Sequence, residues 1–310
     1  MDRVIVAAFP GQGSQAPGFL VPWLELDGTR ERLEAYSDAS GVDLVAAGTE
    51  WDADRIRDTA VAQPLIVAAS LLSWLQLNET ERAAFGGVAG HSVGEIAALV
   101  AAGVISDLDG MRLVGTRGRA MADAASQAET GMSAVVGGKE DDVLGAIADA
   151  GLEPANYNGG GQIVAAGALD GLRALAESAP RGTRVIPLQV AGAFHTSYMA
   201  SAREALQGAV DAIADVADPA LPLWTNSDGT VVDSGARALE LIVHQVQHPV
   251  RWDLCMASFA EASAAGLVEF APAGALTGLA KRGLRGTPAV ALKTPDDLVA
   301  ARDLLAGTAN

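Results

Sequence analysis

The pentapeptide Gly90-His91-Ser92-Val93-Gly94 constrains the fold of this chain more than any other segment. It follows a short apolar run at 88–89 and precedes a helix-favouring segment at 95–101. Gly-x-Ser-x-Gly between a strand and a helix is typical of a nucleophile elbow, which exposes a serine hydroxyl on a sharp turn. The glycines leave room for the turn, and the helix start offers N–H groups to an oxyanion. Ser92 is therefore a candidate nucleophile, although the same motif also arises in glycine-rich loops, and this chain has 35 glycines.

The composition is typical of an α/β protein with a large core. The chain has 310 residues, of which 50% are hydrophobic, with many small and branched apolar side chains suited to buried parallel strands. The formal net charge of −17 disfavours binding to nucleic acid. An anionic ligand would need a local basic site, and Lys281, Arg282 and Arg285 form one candidate cluster. The same cluster is more typical of an ordinary solvated helix end.

Several classes of protein are disfavoured. A single cysteine, Cys255, excludes an internal disulfide and a multi-cysteine metal site, and its apolar neighbours predict core packing. The sequence contains no run of about 18 uncharged apolar residues, so no membrane span is expected. The apolar run at 4–9 is too short for a signal peptide and predicts a first strand instead. We therefore expect a cytoplasmic protein that contacts no membrane.

A change of pattern divides the chain. Between 129 and 195 the predicted elements follow the order βαββαβ, which is the split-βαβ pattern of ferredoxin-like domains. The last strand of this region is predicted over 183–190. On either side, strands such as 4–9 alternate with helices such as 107–125, 198–215 and 252–264. We predict an α/β fold with a large α/β-hydrolase-like domain built on a parallel sheet, formed by 1–128 and 196–310. A small ferredoxin-like domain, 129–195, is inserted into it.

A serine nucleophile needs a base, and histidine suits that task near neutral pH. The chain has four histidines. His91 adjoins the serine, so its side chain should point away from the nucleophile. His244 and His248 have a spacing that could bind a metal, but no third ligand is evident and no metal is expected. His195 remains, in a predicted loop after a strand, which is a common place for a catalytic group. No motif marks an acid that would orient it.

Short motifs along almost the whole chain accompany the elbow. They are 9–15 (FPGQGSQ), Gln63-Pro64, 90–95 (GHSVGE), Arg117-Gly118, 156–158 (NYN), 193–195 (AFH), Asn226, 248–250 (HPV) with Trp252, and 276–279 (LTGL). In this order and spacing they resemble the malonyl-CoA:acyl carrier protein transacylase family of fatty-acid synthesis. Two positions depart from the family pattern: the loop 158–161 has Asn-Gly-Gly-Gly where relatives often have Ser-Pro, and Ala271 stands where glycine is usual.

The resemblance implies a mechanism for the matching positions. Ser92 would attack the thioester of malonyl-CoA and carry the malonyl group as an ester, with His195 as the base. The phosphopantetheine thiol of holo acyl carrier protein would then attack that ester. Backbone N–H groups of Gln12 and Val93 would stabilise the oxyanion. The backbone carbonyl of Gln245 would orient His195, which would explain why no orienting acid is evident.

Arg117 has a physical reason to lie in such a site. The malonyl group keeps a free carboxylate, and a guanidinium binds a carboxylate through two parallel hydrogen bonds. Helical spacing alone leaves Arg117 either at the site or on the surface, and the resemblance favours the site. Gln63 and Asn158 are implied as further substrate-binding residues. No metal and no cofactor is expected beyond the coenzyme A thioester, which is a substrate.

The expected activity is that of an [acyl-carrier-protein] S-malonyltransferase, with malonyl-CoA and holo acyl carrier protein as partners and a monomeric state. A stand-alone acyltransferase serving a polyketide synthase is the nearest alternative, because nothing in the sequence names the carrier. A serine thioesterase or hydrolase would share Ser92 and His195 but would not need Arg117. A catalytically silent protein with the same fold is disfavoured because all three residues are present.

Overall fold

The computed structural model describes residues 4–307 and combines helices and strands in two β-sheets. The strands are β1 (Val4–Phe9), β2 (Gly87–Gly90), β3 (Thr130–Gly137), β4 (Glu153–Gly159), β5 (Gln162–Ala168), β6 (Thr183–Pro187), β7 (Leu223–Trp224), β8 (Val231–Val232), β9 (Val250–Arg251), β10 (Ala264–Glu269) and β11 (Ala289–Ala291). The α-helices are α1 (Thr29–Ser40), α2 (Leu44–Thr49), α3 (Thr59–Leu75), α4 (Glu79–Ala83), α5 (Gly94–Ala101), α6 (Asp107–Ala125), α7 (Glu140–Asp149), α8 (Leu169–Glu177), α9 (Ala202–Asp211), α10 (Gly235–Gln245), α11 (Trp252–Glu261), α12 (Ala275–Gly283) and α13 (Leu298–Ala306). Short 3₁₀ helices lie at Val21–Glu25, Arg55–Arg57, Ser197–Met199 and Pro295–Asp297.

The first sheet has the strand order β11-β10-β1-β2-β7-β8. Its strands run parallel except for β8, which pairs antiparallel with β7. Both faces of β1 are covered, because Ile5 and Phe9 belong to the core that contains α3 and α5, whereas Val6 and Ala8 belong to the core that contains α11 and α12. This alternation explains why β1 is apolar at every position.

Helix α3 is buried along most of its length and packs against α5 and α6. Asp58 caps its start by accepting a hydrogen bond from the backbone N–H of Ala60. Within residues 4–307, no helix is both long enough and apolar enough to cross a membrane.

The second sheet has the order β6-β3-β5-β4-β9. The six elements predicted between 129 and 195 are all present, in the predicted order, as β3, α7, β4, β5, α8 and β6. Helices α7 and α8 cover one face of this sheet, where Val135 and Ile163 pack against Ile147 and Leu175.

A fifth strand of this sheet, β9, comes from outside the predicted small domain and runs parallel to β4. The domain limits 129 and 195 therefore stay a prediction. Residues 1–3 and 308–310 of the predicted large domain lie outside the described range.

Some predicted elements differ from those observed at their ends. The strand predicted over 183–190 ends at Pro187, and the helix predicted over 198–215 is the shorter α9. The helix predicted to run from Trp252 to Ala264 ends at Glu261. There Ser263 takes a left-handed conformation with φ 56°, which reverses the chain directly into β10. A serine at positive φ is uncommon, so this turn has no clear local signal.

The elbow at 90–94 joins β2 to α5 in a space without room for side chains at its glycines. A Cβ on Gly90 would lie 2.0 Å from the carbonyl carbon of Gly94. A Cβ on Gly94 would lie 2.2 Å from the carbonyl oxygen of Phe9, on the neighbouring strand. Ser92, between them, has φ 54°. The predicted strand–turn–helix is confirmed, and the requirement for both glycines is steric.

We expect Gly90→Ala to lower the free energy of unfolding by about 3 kcal/mol or more, measured by urea denaturation. Overpacking costs about 1–3 kcal/mol where neighbours can shift, and here the obstacle is backbone. The matched control is Gly208→Ala in α9, where a Cβ would meet no atom within 4 Å. That variant should gain about 0.5–1 kcal/mol from helix propensity. Equal stability of Gly90→Ala and the unmodified protein would contradict the tight elbow.

Candidate active site

The elbow places Ser92 at the carboxyl end of β2, beside the loop that leaves β1. A cavity of about 310 Å³ opens there between the two sheets. Met132 and Val164 of the second sheet form part of its wall. Six of the predicted site residues line this cavity: Gln12, Gln63, Ser92, Val93, Asn158 and His195. The two remaining, Arg117 and Gln245, are buried directly behind it and contact Ser92.

Ser92 and His195 meet in the geometry of a nucleophile and its base. Ser92 Oγ lies 2.7 Å from His195 Nε2. His195 Nδ1 lies 2.8 Å from the backbone carbonyl oxygen of Gln245. A carbonyl can only accept a hydrogen bond, so Nδ1 carries the proton and Nε2 offers its lone pair to the serine hydroxyl. A backbone carbonyl thus holds the tautomer that an acid holds in other serine enzymes.

Burial, together with the positive charge of Arg117, lowers the pKa of His195 to about 3. The hydrogen bond to the Gln245 carbonyl opposes this shift. His195 is therefore neutral at physiological pH, which is the state in which an imidazole can accept a proton.

Arg117 is 1% exposed and brings a positive charge to the nucleophile. Its Nη1 donates to Gln63 Oε1 at 2.7 Å, and its Nη2 lies 2.9 Å from Gln245 Oε1 and 3.4 Å from Ser92 Oγ. Burial lowers its pKa to about 10, which leaves it charged at neutral pH. Among residues 4–307, no carboxylate forms a salt bridge with it, and its Nε has no hydrogen-bond partner. The guanidinium is thus held by neutral amide oxygens, of which that of Gln63 belongs to the cavity wall.

The backbone N–H groups of Gln12 and Val93 have no hydrogen-bond partner within the described part of the chain. Their neighbours do: Ser92 N donates to Asn226 Oδ1 at 2.7 Å, and Gly94 N donates to the His91 carbonyl at 3.0 Å. Both free groups belong to residues that line the cavity beside Ser92. They are therefore available to an oxyanion. For Val93, the N-cap of α5, an unpaired N–H is expected because the start of a helix leaves such groups without an intrahelical partner.

Two residues that hold this site in place had no predicted role. Asn226 receives the N–H of Ser92 on its side-chain oxygen and donates from Nδ2 to the Gly90 carbonyl at 2.7 Å. Glu95, 4% exposed, accepts a hydrogen bond from Asn226 N at 3.0 Å and another from Gln245 Nε2. One signal was present in the sequence, because Glu95 is the only charged residue in the otherwise apolar α5.

His91 points away from the nucleophile and contacts the second sheet. Its Nε2 lies 2.9 Å from Asn158 Oδ1, and Asn158 Nδ2 donates to Gln162 Oε1 at 3.1 Å. Asn158 is therefore held by an imidazole on one side and an amide on the other. The glycines at 159–161 follow it, all at positive φ, and a Cβ on Gly160 would lie 2.6 Å from Cβ of Arg282. The positive φ angles and the contact with Arg282, which lines the cavity, explain why glycine is needed in this loop.

The remaining candidates lie apart from the nucleophile. The rings of His244 and His248 stack with centroids 3.4 Å apart. Residues 4–307 hold no group of three or more His, Cys, Asp or Glu side chains that could bind a metal ion. Cys255 is fully buried, which confirms its predicted packing in the core. Lys281 and Arg285 are exposed around the end of α12.

Comparison with known proteins gives matches over almost the whole chain. The family described as acyl transferase domain matches residues 6–299. A malonyl CoA-acyl carrier protein transacylase of Mycobacterium tuberculosis (strain ATCC 25618 / H37Rv) is 50% identical over 299 residues, which cover 95% of this chain and 98% of the relative. The crystal structure of MCAT from Mycobacterium tuberculosis has a TM-score of 0.93 at 50% identity and covers 96% of this chain and 99% of its own. A further match is a structure described as a type II PKS acyl-carrier protein in complex with its malonyl-transacylase. The matched chain has a TM-score of 0.90 at 30% identity, and the match covers 96% of this chain and 98% of that one.

The depressed pKa of His195 predicts a pH-dependent stability. In the unfolded chain His195 takes up a proton below its ordinary pKa of 6.5, whereas in the folded protein it does so only near 3. The stability that depends on this group is therefore complete above about pH 6.5 and is lost as the pH falls towards 3. We expect the free energy of unfolding to fall by about 1.4 kcal/mol per pH unit in this window relative to His195→Gln. His91 and Glu95 are present in both proteins, and parallel stability curves would contradict the burial of a neutral His195.

Proposed function

We propose the function of this chain from the premise that it belongs to the acyl transferase domain family, among the malonyl-CoA:acyl carrier protein transacylases. It transfers the malonyl group of malonyl-CoA to the phosphopantetheine thiol of acyl carrier protein, in fatty-acid biosynthesis. One observation carries this function: Ser92 Oγ lies 2.7 Å from a neutral imidazole and 3.4 Å from a buried guanidinium. A nucleophile, a base and a group that attracts a carboxylate therefore meet at one oxygen atom.

In the first half-reaction, Ser92 Oγ attacks the thioester carbon of malonyl-CoA while His195 Nε2 accepts the hydroxyl proton. The oxyanion that forms receives hydrogen bonds from the free N–H groups of Gln12 and Val93. Each such donor is worth about 10²–10³ in rate in other enzymes. The carbon–sulfur bond then breaks, and the coenzyme A thiolate takes the proton from His195. The malonyl group remains as an ester on Ser92.

The second half-reaction reverses these roles. The thiol of the carrier's phosphopantetheine gives its proton to His195 and attacks the malonyl-serine ester. The same two N–H groups stabilise the second oxyanion, and Ser92 leaves with the proton held by His195. The product is malonyl acyl carrier protein, and the enzyme returns to its starting state. No metal or further cofactor is needed for either step.

Arg117 is the group that distinguishes malonyl from acetyl in this proposal. Its Nη1 donates a hydrogen bond to the amide oxygen of Gln63. A substrate carboxylate would take the place of this neutral acceptor and would carry a negative charge. Charge-assisted hydrogen bonds contribute about 1.5–3 kcal/mol each, more than the neutral bonds they replace. Asn158, held by His91 and Gln162 on the opposite wall, is positioned to contact the substrate.

We further assign the finer architecture and setting that the residues favour. The first sheet, parallel except for β8, with its proposed nucleophile after β2, supports an α/β-hydrolase-like large domain over 1–128 and 196–310. The order β6-β3-β5-β4, with two helices on one face, supports a ferredoxin-like small domain over 129–195. A monomeric, cytoplasmic enzyme without membrane contact is consistent with both assignments.

A carrier protein of polyketide synthesis is a second candidate partner. It is supported by the similarity to a malonyl-transacylase solved in complex with a type II PKS acyl-carrier protein. The malonyl chemistry at Ser92 would be the same with either carrier. A hydrolase is disfavoured, since release of free acid needs no Arg117 beside the nucleophile.

Incubation with malonyl-CoA should give a protein whose mass increases by one malonyl group, and Ser92→Ala should give no such adduct. Intact-protein mass spectrometry measures both. Added holo acyl carrier protein should remove the adduct and appear as the malonyl form, with little free malonate. Loss of the adduct to water at the same rate without the carrier would indicate a hydrolase. A persistent adduct in Ser92→Ala would place the nucleophile elsewhere.

Arg117→Ala should lower kcat/KM for malonyl-CoA by about a hundredfold, because it removes about 3 kcal/mol of charge-assisted hydrogen bonding. Any residual transfer from acetyl-CoA should change much less, and the ratio of the two values is the measurement. Arg112→Ala, on the exposed face of α6 where Arg112 pairs with Asp109, is the matched control and should leave both unchanged. Equal losses with the two substrates would show that Arg117 does not bind the carboxylate.

A further inference from the structure

Glu95 is a buried acid that the proposed reaction does not use. It lies in the first turn of α5, three residues after the nucleophile, and is 4% exposed. Both carboxylate oxygens are engaged: Oε1 accepts the backbone N–H of Asn226 at 3.0 Å, and Oε2 accepts from Gln245 Nε2. Burying a carboxylate costs free energy unless hydrogen bonds compensate for the lost water. The two groups that donate to Glu95 therefore indicate what this acid does.

The two partners lead to the two halves of the catalytic pair. Asn226 holds the elbow, because its side chain binds the N–H of Ser92 and the carbonyl of Gly90. Gln245 holds the base, because its backbone carbonyl binds His195 Nδ1 at 2.8 Å. Gln245 Nε2 also lies 3.2 Å from the Ser92 carbonyl. A single carboxylate thus connects two chain segments that are far from α5 in sequence.

Charge gives Glu95 a second task. Arg117 is a fully buried cation, and the Gln245 amide bridges it to Glu95, with Oε1 towards the guanidinium and Nε2 towards the carboxylate. The negative charge of Glu95 raises the pKa of Arg117 against the effect of burial. A lone buried charge is strongly unfavourable, whereas opposite charges one amide apart stabilise each other.

We propose that Glu95 is a positioning residue that fixes Ser92 and His195 relative to each other through Asn226 and Gln245, and that it supplies the counter-charge of Arg117. This inference rests on the proposed malonyl transfer. It assigns Glu95 no contact with substrate.

The chemistry of the network makes an amide a poor replacement. Both partners of Glu95 donate hydrogen bonds, and an ionised carboxylate offers acceptors to both. In Glu95→Gln one of the two would face an NH₂ group instead. Glu95→Asp keeps the charge and both acceptors but is one methylene shorter, so it cannot reach both donors. Glu95→Gln therefore removes the charge together with one acceptor, whereas Glu95→Asp changes only the reach of the carboxylate.

The test is the rate of malonyl-serine formation, measured by quenched flow with malonyl-CoA and corrected for the folded fraction by circular dichroism. We expect both variants to form the adduct at least tenfold more slowly than the unmodified enzyme. KM for malonyl-CoA should not rise in Glu95→Gln, because Arg117 keeps its charge and loses the competing anion. Glu240→Gln, on the exposed face of α10, is the matched control and should behave as the unmodified enzyme.

A pH profile of the same rate provides a readout that a purely structural role would not change. Burial raises the pKa of Glu95 to about 7. A protonated carboxyl has the same donor mismatch as glutamine, so the rate of the unmodified enzyme should fall as the pH drops from 8 to 6. The charged or titratable groups that interact with Glu95 are Arg117 from α6 and Cys255 from α11, and their shifted pKa values lie outside this range. The pKa of His195, the proposed base, lies below it. Glu95→Gln should show no such inflection.

Each outcome bears on one claim. Failure of the unmodified enzyme to form the adduct would overturn the proposed function itself. Normal adduct formation with rates in Glu95→Gln equal to those of Glu240→Gln would overturn only the role of Glu95. If neither Glu95 variant folds, the profile of the unmodified enzyme decides: a flat rate between pH 6 and 8 would contradict the inference, and an inflection near 7 would support it.

Discussion

The close approach of α5 to β1 is the constraint on which the site depends. Gly94 lies so near the Phe9 carbonyl that no side chain fits between the first turn of the helix and the neighbouring strand. Because helix and sheet are in contact there, the turn between them is forced into a left-handed conformation at Ser92. The hydroxyl is thereby carried out of the sheet, and of the N–H groups at this turn that of Val93 remains unpaired. The proposed nucleophile and one of the two proposed oxyanion donors therefore follow from the same packing contact.

Around this turn the electrostatics of the site are set by burial. Arg117 has neutral amides as its direct neighbours, and its charge helps to keep His195 unprotonated. The same charge lies 3.4 Å from Ser92 Oγ, the proposed nucleophile. A cation in this position makes the base available and attracts an anionic acyl group. Water would screen the charge of Arg117 and weaken both effects. The apolar wall that Met132 and Val164 of the second sheet provide therefore helps to maintain them.

Local signals were enough to predict much of this. Glycine spacing indicates the elbow, and helical periodicity predicts α6 with the bounds that the structure has. The order of elements between 129 and 195 follows from alternating apolar patterns. The contacts of His195 and Gln245 were expected from family resemblance, since no local pattern links residues 50 apart. The network of Glu95 and Asn226 and the pairing of β9 with β4 were not foreseen, because they join segments whose proximity only the folded chain establishes.

Strand β9 links the base to the far wall of the cavity. It begins five residues after Gln245, pairs with β4 through Val250 and Arg251, and is tied to the elbow side by the bond from Arg251 N to the Asn226 carbonyl at 2.8 Å. Main-chain hydrogen bonds of β9 therefore connect the second sheet to the segment that holds the elbow. A motion that separated the two sheets here would break these bonds and displace the Gln245 carbonyl that orients His195. The floor of the cavity and the orientation of His195 therefore depend on the same stretch of main chain between α10 and β9.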